Sequence, residues 1–265
     1  MGSIRFDKVD KVFGSSASGV KVLDDINLEI AEREFVAIVG PSGCGKTTCL
    51  RMVAGFEAPS SGRVSVNGKP VTQPGPDRAG VFQQFALFPW KTVRENIDLG
   101  LRNKNFPRPK RLELIAAALK LMNLESHADA YPHQLSGGMQ QRVAIARAYV
   151  LDPEVLLMDE PFGALDAQTR VVMQEELVRL ARRNPRTVLF ITHAVDEAVY
   201  LADRVAIMTR RPGRIKEVLD IKSVRESENW DRFQRIEDVM DLGSFVHLRT
   251  HIWKSLREEK GPQGG

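Results

Sequence analysis

The chain of 265 residues contains no uninterrupted apolar run approaching the roughly 18–20 residues that a bilayer-spanning helix needs. No segment is therefore expected to cross a membrane. Cysteine is nearly absent, with only Cys44 and Cys49 in or just after one glycine-rich loop. Neither suits a structural disulfide, which points to a reducing compartment. An excess of one charge is also missing: 38 Lys and Arg stand against 34 Asp and Glu, for a net +4. The basic residues are scattered among acidic ones, so a pI of about 9.1 describes a solvated surface and no nucleic-acid partner is expected. There is no internal repeat, and no low-complexity tract apart from the Gly/Pro ending. The opening Met1-Gly-Ser-Ile-Arg-Phe6 lacks the basic-then-apolar order of a secretory leader. What remains is ordinary: 43% hydrophobic, 27% charged, mean hydropathy −0.24, with ample length for a full core.

Hydrophobic periodicity sets the organisation. Ile4-Arg5-Phe6 and the spaced Val22, Ile26, Leu28 and Ile30 predict half-buried strands near the N-terminus. Arg63-Val-Ser-Val66 runs into Asn67-Gly68, a strong hairpin signal. Phe35–Val39, Val155–Met158, Val188–Thr192 and Val205–Met208 are apolar runs of the kind found in buried parallel strands, and the last is expected to end the sheet. Between them, Leu112, Ile115, Leu119 and Met122 recur at helical spacing over 111–124. Asp166 is a good N-cap for a helix reaching Arg183, where Asn184-Pro185 stops it. Alternating β and α predict a mostly parallel sheet covered by helices. The helical stretch from about Phe88 to Val150 interrupts that alternation, and Pro107 and Pro109 mark an irregular connection inside it. In the tail, Phe233, Ile236, Val239 and Met240 form one possible helix face. Phe245, Leu248, Ile252, Trp253 and Leu256 form another, packed on the core or a neighbouring subunit, or serving regulation.

Two motifs carry chemistry on their own. Gly40-Pro41-Ser42-Gly43-Cys44-Gly45-Lys46-Thr47 follows an apolar strand and precedes Thr48 and a helical segment. Such a loop wraps phosphate oxygens with backbone N–H groups and adds the positive end of the helix. Lys46 then reaches the β- and γ-phosphates, and Thr47 ligates Mg²⁺. Asp159 ends another apolar strand, where a metal-coordinating acid belongs beside such a loop. Glu160 follows and is expected to face the other way, toward the γ-phosphate and an attacking water. An Asp-Glu pair alone would be a commonplace solvated strand end; the upstream loop gives it meaning.

The third motif narrows the class. With Leu135-Ser-Gly-Gly-Met-Gln-Gln-Arg142 just before Val155-Leu-Leu-Met-Asp159-Glu160, the chain resembles the ATP-binding cassettes of ABC transporters, up to about Leu219. The resemblance implies an α/β fold: a RecA-like P-loop NTPase core with a parallel sheet, an N-terminal antiparallel β subdomain and an inserted α-helical subdomain. It places 1–220 in a single ATPase domain, with 1–87 and 151–220 as catalytic core and β subdomain, 88–150 as helical subdomain, and 221–265 as a helical tail. ATP and Mg²⁺ are the implied ligands. In such cassettes the signature closes over ATP held by the opposite subunit of a head-to-tail dimer. Ser136, Gly137, Gly138 and Gln140 match its positions, with Met139 where many members carry Gln. Gln83 matches the Q-loop glutamine that senses Mg²⁺ and water, although Gln84 is adjacent. His193 matches the switch histidine on the γ-phosphate, next to Ala194 where relatives often have an acid. Ala164-Leu165-Asp166 matches the D-loop at the dimer seam. Phe13 lies where a ring stacks on adenine, a core Phe being the alternative.

Phe88-Pro-Trp90 through Ile97, Thr192-His193 through Val205, and Arg211-Pro-Gly-Arg-Ile215 look most like the nitrate/sulfonate/taurine class of bacterial importers. The resemblance implies a cassette paired with itself or another, docked as a peripheral subunit on the cytoplasmic face of the inner membrane. It also implies transmembrane permease subunits and a periplasmic or lipid-anchored solute-binding protein. An exporter or other ABC-type ATPase is the alternative, and nothing in the chain forms a pocket for the solute.

Overall fold

Alternating burial makes Ile4–Phe13 (β1) and Val20–Ile30 (β2) one-faced: Ile4, Phe6, Ile26, Leu28 and Ile30 are buried and most of their neighbours face outward. The structure, a computed structural model, describes residues 2–14, 19–82, 85–102, 104, 106–233 and 235–259. Phe35–Val39 (β3) is followed by Lys46–Ala54 (α1), Ser61–Val66 (β4), Lys69–Pro70 (β5) and Arg78–Phe82 (β6). Three helices, Val93–Leu101 (α2), Arg108–Leu121 (α3) and Gly137–Tyr149 (α4), lead to Val155–Asp159 (β7). Then come Ala167–Arg183 (α5), Thr187–Ile191 (β8), Val195–Leu201 (α6), Arg204–Met208 (β9) and Ile215–Asp220 (β10). The tail holds Lys222–Ser227 (α7), Ile236–Met240 (α8) and Gly243–Glu258 (α9).

Two sheets result. One is four-stranded and antiparallel, in the order β2-β1-β4-β5; Asn67 and Gly68, both at positive φ, form its β4–β5 hairpin as the sequence predicts. The other is six-stranded, in the order β10-β9-β3-β8-β7-β6, and parallel except for the β9–β10 pair. The period of two along each strand divides the large sheet between two cores. Val36, Ile38, Leu157, Leu189 and Ile191 face α1 and the antiparallel sheet. Ala37, Val39, Leu156, Met158 and Phe190 face the helices. A strand buried on both faces carries no polar alternation, which is why these runs are apolar throughout.

Three expectations change. The sheet does not end at Val205–Met208, because β10 adds an antiparallel edge strand. Its residues, Ile-Lys-Glu-Val-Leu-Asp, are mostly half-exposed, so it lacks the apolar signature of a buried strand. Leu112 is exposed, because the buried face of α3 runs through Ile115, Ala118 and Leu119 and none of the residues before Ile115 is buried. Trp253 is also exposed, while the buried tail aromatics are Trp230 and Phe245, with ring centroids 5.8 Å apart. The tail packs on this chain's own α6 and β9. No helix among the described residues is long and apolar enough to cross a membrane.

The connection before α2 is fixed by one buried side chain. Asn96 accepts from Phe88 N–H at 2.9 Å and donates to the carbonyls of Phe88, Lys91 and Thr92 at 3.0–3.3 Å. Thr92 and Glu95 form a reciprocal capping box at the same helix start. These bonds hold Phe88 and the 69%-exposed Trp90 in place. Replacing Asn96 with Ala leaves several backbone groups without partners and is expected to lower stability by about 2–3 kcal/mol. Denaturant unfolding measures this, with limited proteolysis reporting on 85–92. A change under about 0.5 kcal/mol, the range of ordinary surface substitutions, would show that Asn96 does not anchor the connection.

Candidate functional site

Parallel pairing of β3, β7 and β8 brings their C-terminal ends to one edge, where the polar residues of the chain converge. The Gly40–Lys46 loop leaves β3 there. Gly45, at φ +104, is the N-cap of α1, and a Cβ on it would meet the Leu23 side chain at 2.4 Å, so glycine is required by both backbone and space. Gly40, Pro41, Ser42 and Gly43 form the open side of the loop, while Cys44 is buried beneath it. Lys46 is only 8% exposed and curls back so that Nζ donates to the carbonyls of Gly40 at 2.8 Å and Pro41 at 3.1 Å. Thr47 is exposed and Thr48 half-buried in the first turn of α1.

Asp159 and Glu160 take different partners. Thr47 Oγ1 donates to Asp159 Oδ1 at 3.3 Å. Burial pushes the Asp159 carboxyl above its ordinary range and the neighbouring Glu160 adds to this, against the Thr47 hydrogen bond and the Lys46 charge. A hydroxyl and a carboxylate, both hard oxygen donors, fit Mg²⁺, which takes one or two protein ligands and completes its shell with water and phosphate oxygens. The described residues hold no cluster of three or more His, Cys, Asp or Glu suited to a metal. Glu160 sits at φ +47 with its N–H bonded to Ile191 O at 2.8 Å. This left-handed bend is strained for a non-glycine residue. Glu160 Oε2 lies 3.1 Å from His193 Nδ1, just past the end of β8.

The other expected residues lie apart from this pair. Ser136 caps α4, its Oγ accepting from Met139 N–H at 3.3 Å. Gly137 and Gly138 open that helix, and a Cβ on Gly138 would meet Thr169 Cγ2 at 2.4 Å, so the glycine lets α4 approach the start of α5. The Gln140 amide donates to the carbonyls of Pro132 and Leu135, at 2.9 and 3.3 Å, and so shapes the turn before the helix. Helix α4 packs on α2, α3, β6 and α5, whereas α1 packs on β4, β6, β7 and β8. Asp166 caps α5, accepting from Thr169 N–H at 3.0 Å and its hydroxyl at 2.7 Å, bonds that hold its carboxyl below the usual range. Phe13 ends β1 and is 42% exposed with Lys11 Nζ 4.7 Å above its ring, so it is not a core residue. Gln83 and Gln84 lie outside the described residues.

The sequence reading missed a polar group behind His193: buried Thr192, Glu197 and Gln174, with the half-exposed Arg170 at its edge. Its one local trace in sequence is Glu197, one helical turn past the histidine and next to Asp196 in the first turn of α6, and acids at a helix start are commonplace.

Similarity to known proteins fits this geometry. The sequence profile of the family described as ABC transporter matches residues 23–163. An uncharacterized ABC transporter ATP-binding protein of Methanocaldococcus jannaschii is 47% identical over 256 residues, spanning 96% of this chain and 94% of its own. A nitrate import ATP-binding protein of Synechococcus elongatus is 43% identical over 252 residues, spanning 94% and 89%. A dimeric ATP-binding cassette solved in a post-hydrolysis state with ADP and Pi superposes with a TM-score of 0.71 at 32% identity, spanning 82% of this chain and 98% of that one.

The loop's packing has a chemical readout. Burial pushes the Cys49 thiol up to about 12, and also raises Cys44 against the pull of Lys46. Both are therefore neutral thiols at pH 8, and the thiolate is the reactive form. Neither is expected to react with Ellman's reagent in the folded chain, and both should react on unfolding. Rapid labelling of the native protein would contradict the packing described.

Proposed function

Because the chain belongs to the ABC transporter family, as an ATP-binding subunit with ATPase chemistry, we propose that it energises an importer for a small anion or organic solute such as nitrate, a sulfonate or taurine. The importer assignment is supported by the nitrate import relative of Synechococcus and by the segments Phe88–Ile97 and Thr192–Val205. The observation that carries the site is the pair of contacts at one sheet edge, Thr47 with Asp159 and Glu160 with His193.

In this reading the exposed Phe13 ring stacks on adenine, and the Gly40–Thr48 loop wraps the phosphates. Lys46 exchanges the Gly40 and Pro41 carbonyls for the β- and γ-phosphate oxygens. Thr47, Asp159 and Gln83 hold Mg²⁺, which when bound neutralises charge on the β- and γ-phosphates. Glu160 orients and polarises the water, and His193 contacts the γ-phosphate. Ser136, Gly137 and Gly138 at the start of α4 offer a hydroxyl and bare N–H groups to the nucleotide of a paired cassette. Gln140 serves that surface through the turn it holds, and Asp166 through the helix start it caps. Residues 1–220 form the ATPase unit, with 88–150 as its helical lobe and 221–265 as a tail. Closure of two cassettes moves permease subunits, hydrolysis resets them, and a solute-binding protein selects the cargo. The chain then lies peripherally on the cytoplasmic face of the membrane.

Lys46→Ala removes the charge around which the loop is built and is expected to weaken ATP binding and reduce turnover by at least about 100-fold. Steady-state ATPase activity near the wild-type level would remove Lys46 from the site. Glu160→Gln keeps shape and loses the base, so it should bind ATP without hydrolysing it. Losing a carboxylate beside the γ-phosphate also lessens repulsion. The variant should therefore form an ATP-dependent dimer at high protein concentration, seen by light scattering, which Ser136→Arg abolishes. A dimer indifferent to Ser136 would overturn the head-to-tail arrangement.

The transporter role has its own test. Expressed alone, the chain is expected in the soluble fraction, and it should move to membranes with a permease encoded beside its gene. Firm membrane retention without any partner would count against the peripheral role.

A further inference from the structure

The switch histidine has little holding it directly. His193 is largely exposed at its side chain, and its recorded contact among the described residues is Glu160 at 3.1 Å. Its direction is therefore set by the backbone on either side. Thr192, 1% exposed, precedes it, and the Thr192 hydroxyl accepts from Ala194 N–H at 2.9 Å, bridging both flanks. That hydroxyl needs an acceptor for its own proton, and Glu197 Oε2 provides it at 2.6 Å.

Glu197 is 5% exposed on α6, and a buried carboxylate persists only where it is paired and hydrogen-bonded. Gln174 Nε2 donates to Glu197 Oε1 at 3.1 Å, and Arg170 Nε lies 3.9 Å from the same oxygen. Arg170 also reaches the other way, its Nη2 donating to Leu165 O at 3.1 Å. Leu165 belongs to the Ala164–Asp166 segment that precedes α5. The Arg170 Nε–H is buried and makes no hydrogen bond among the described residues. At 3.9 Å the charges attract but no hydrogen bond exists, so a shift of less than about 1 Å separates the open contact from a closed one. Leu165, Arg170, Glu197 and Thr192 thus form one continuous line of contacts.

We propose that Glu197 is a positioning residue for hydrolysis, holding His193 through Thr192 and linked through Arg170 to the Leu165 segment at the proposed dimer seam. This rests on the reading of His193 as the γ-phosphate contact. A purely structural acid would serve only to place a negative charge in the first turn of α6. Such a role predicts loss of stability without a change in the chemistry of the folded fraction.

The test is a double-mutant cycle on the purified full-length chain, with single-turnover ATP hydrolysis, fluorescent-nucleotide binding and melting temperature as readouts. Glu197→Gln is expected to lower the hydrolysis rate roughly tenfold with nucleotide affinity within about twofold of wild type. His193→Ala should lower it further, and adding Glu197→Gln to His193→Ala should cost nothing more, because the first acts only through the second. Losses that multiply, or a wild-type rate in Glu197→Gln, would overturn the positioning role. A wild-type rate in His193→Ala would instead overturn the reading of His193 itself. Should Glu197→Gln fold poorly, Thr192 decides: Thr192→Val should reproduce the loss and Thr192→Ser should retain activity. Equal rates in those two would overturn the hydroxyl's part. Arg170→Lys keeps the charge but loses the fork, so it should lower the rate without weakening nucleotide binding. A wild-type rate there would break the link to Leu165.

Discussion

The structure depends on parallel pairing between strands buried on both faces. Val36 to Ile38, Leu156 to Met158 and Leu189 to Ile191 contribute nothing polar, so they are stable only when sheet neighbours complete their hydrogen bonds and helices cover both sides. Parallel strands point the same way, and so their C-terminal ends share an edge. Every polar residue that follows a buried run emerges there: the Gly40 loop after β3, Asp159 and Glu160 after β7, and His193 after β8. The site follows from the packing of the sheet, as is general for ligand sites in open α/β sheets.

At that edge the chain keeps similar charges apart by backbone geometry. Asp159 continues β7 and turns to Thr47, while the positive φ of Glu160 carries the next carboxylate toward His193. Each acid gains its own partner. The bend costs energy that the surrounding strands offset, the usual setting for a strained residue at a working site. Lys46 is likewise held in advance, since its ammonium already lies against the loop proposed to cradle phosphate. In water a flexible lysine would have to be ordered on binding; here that ordering is part of the fold.

Helices α2 to α4 join the core through contacts in which small residues and caps matter more than bulk. Gly138 lets α4 come against Thr169, and Thr169 in turn satisfies Asp166 at the start of α5. Helix α4, the Ala164–Asp166 segment and α5 thus meet within a few side chains. From α5, Arg170 and Gln174 reach the buried Glu197 behind His193. Polar groups in a low-dielectric interior are strongly coupled, so this contact is sensitive to small displacements in a way a surface ion pair is not.

The sequence alone determined what is local or chemical. Buried runs betrayed β3, β7, β8 and β9, the Asn67-Gly68 turn betrayed its hairpin, and Asp166 its helix start. The Gly40–Thr47 motif stood out because glycine, lysine and a hydroxyl lie at fixed spacing along a single loop, whereas Leu135–Arg142 stood out only by its resemblance to a family. Strand β10 escaped, because an edge strand is half solvated and carries no apolar run. The orientations of Leu112 and Trp253 escaped for a related reason: periodicity gives a helix face but not how far its partner extends. The group around Glu197 could not be assembled from sequence for a deeper one. Its members, at 170, 174, 192 and 197, lie on α5, at the end of β8 and on α6, and no spacing rule joins them. Only the tertiary structure brings them together, because it is packing that removes water from a carboxylate and forces it to find its partners inside the chain.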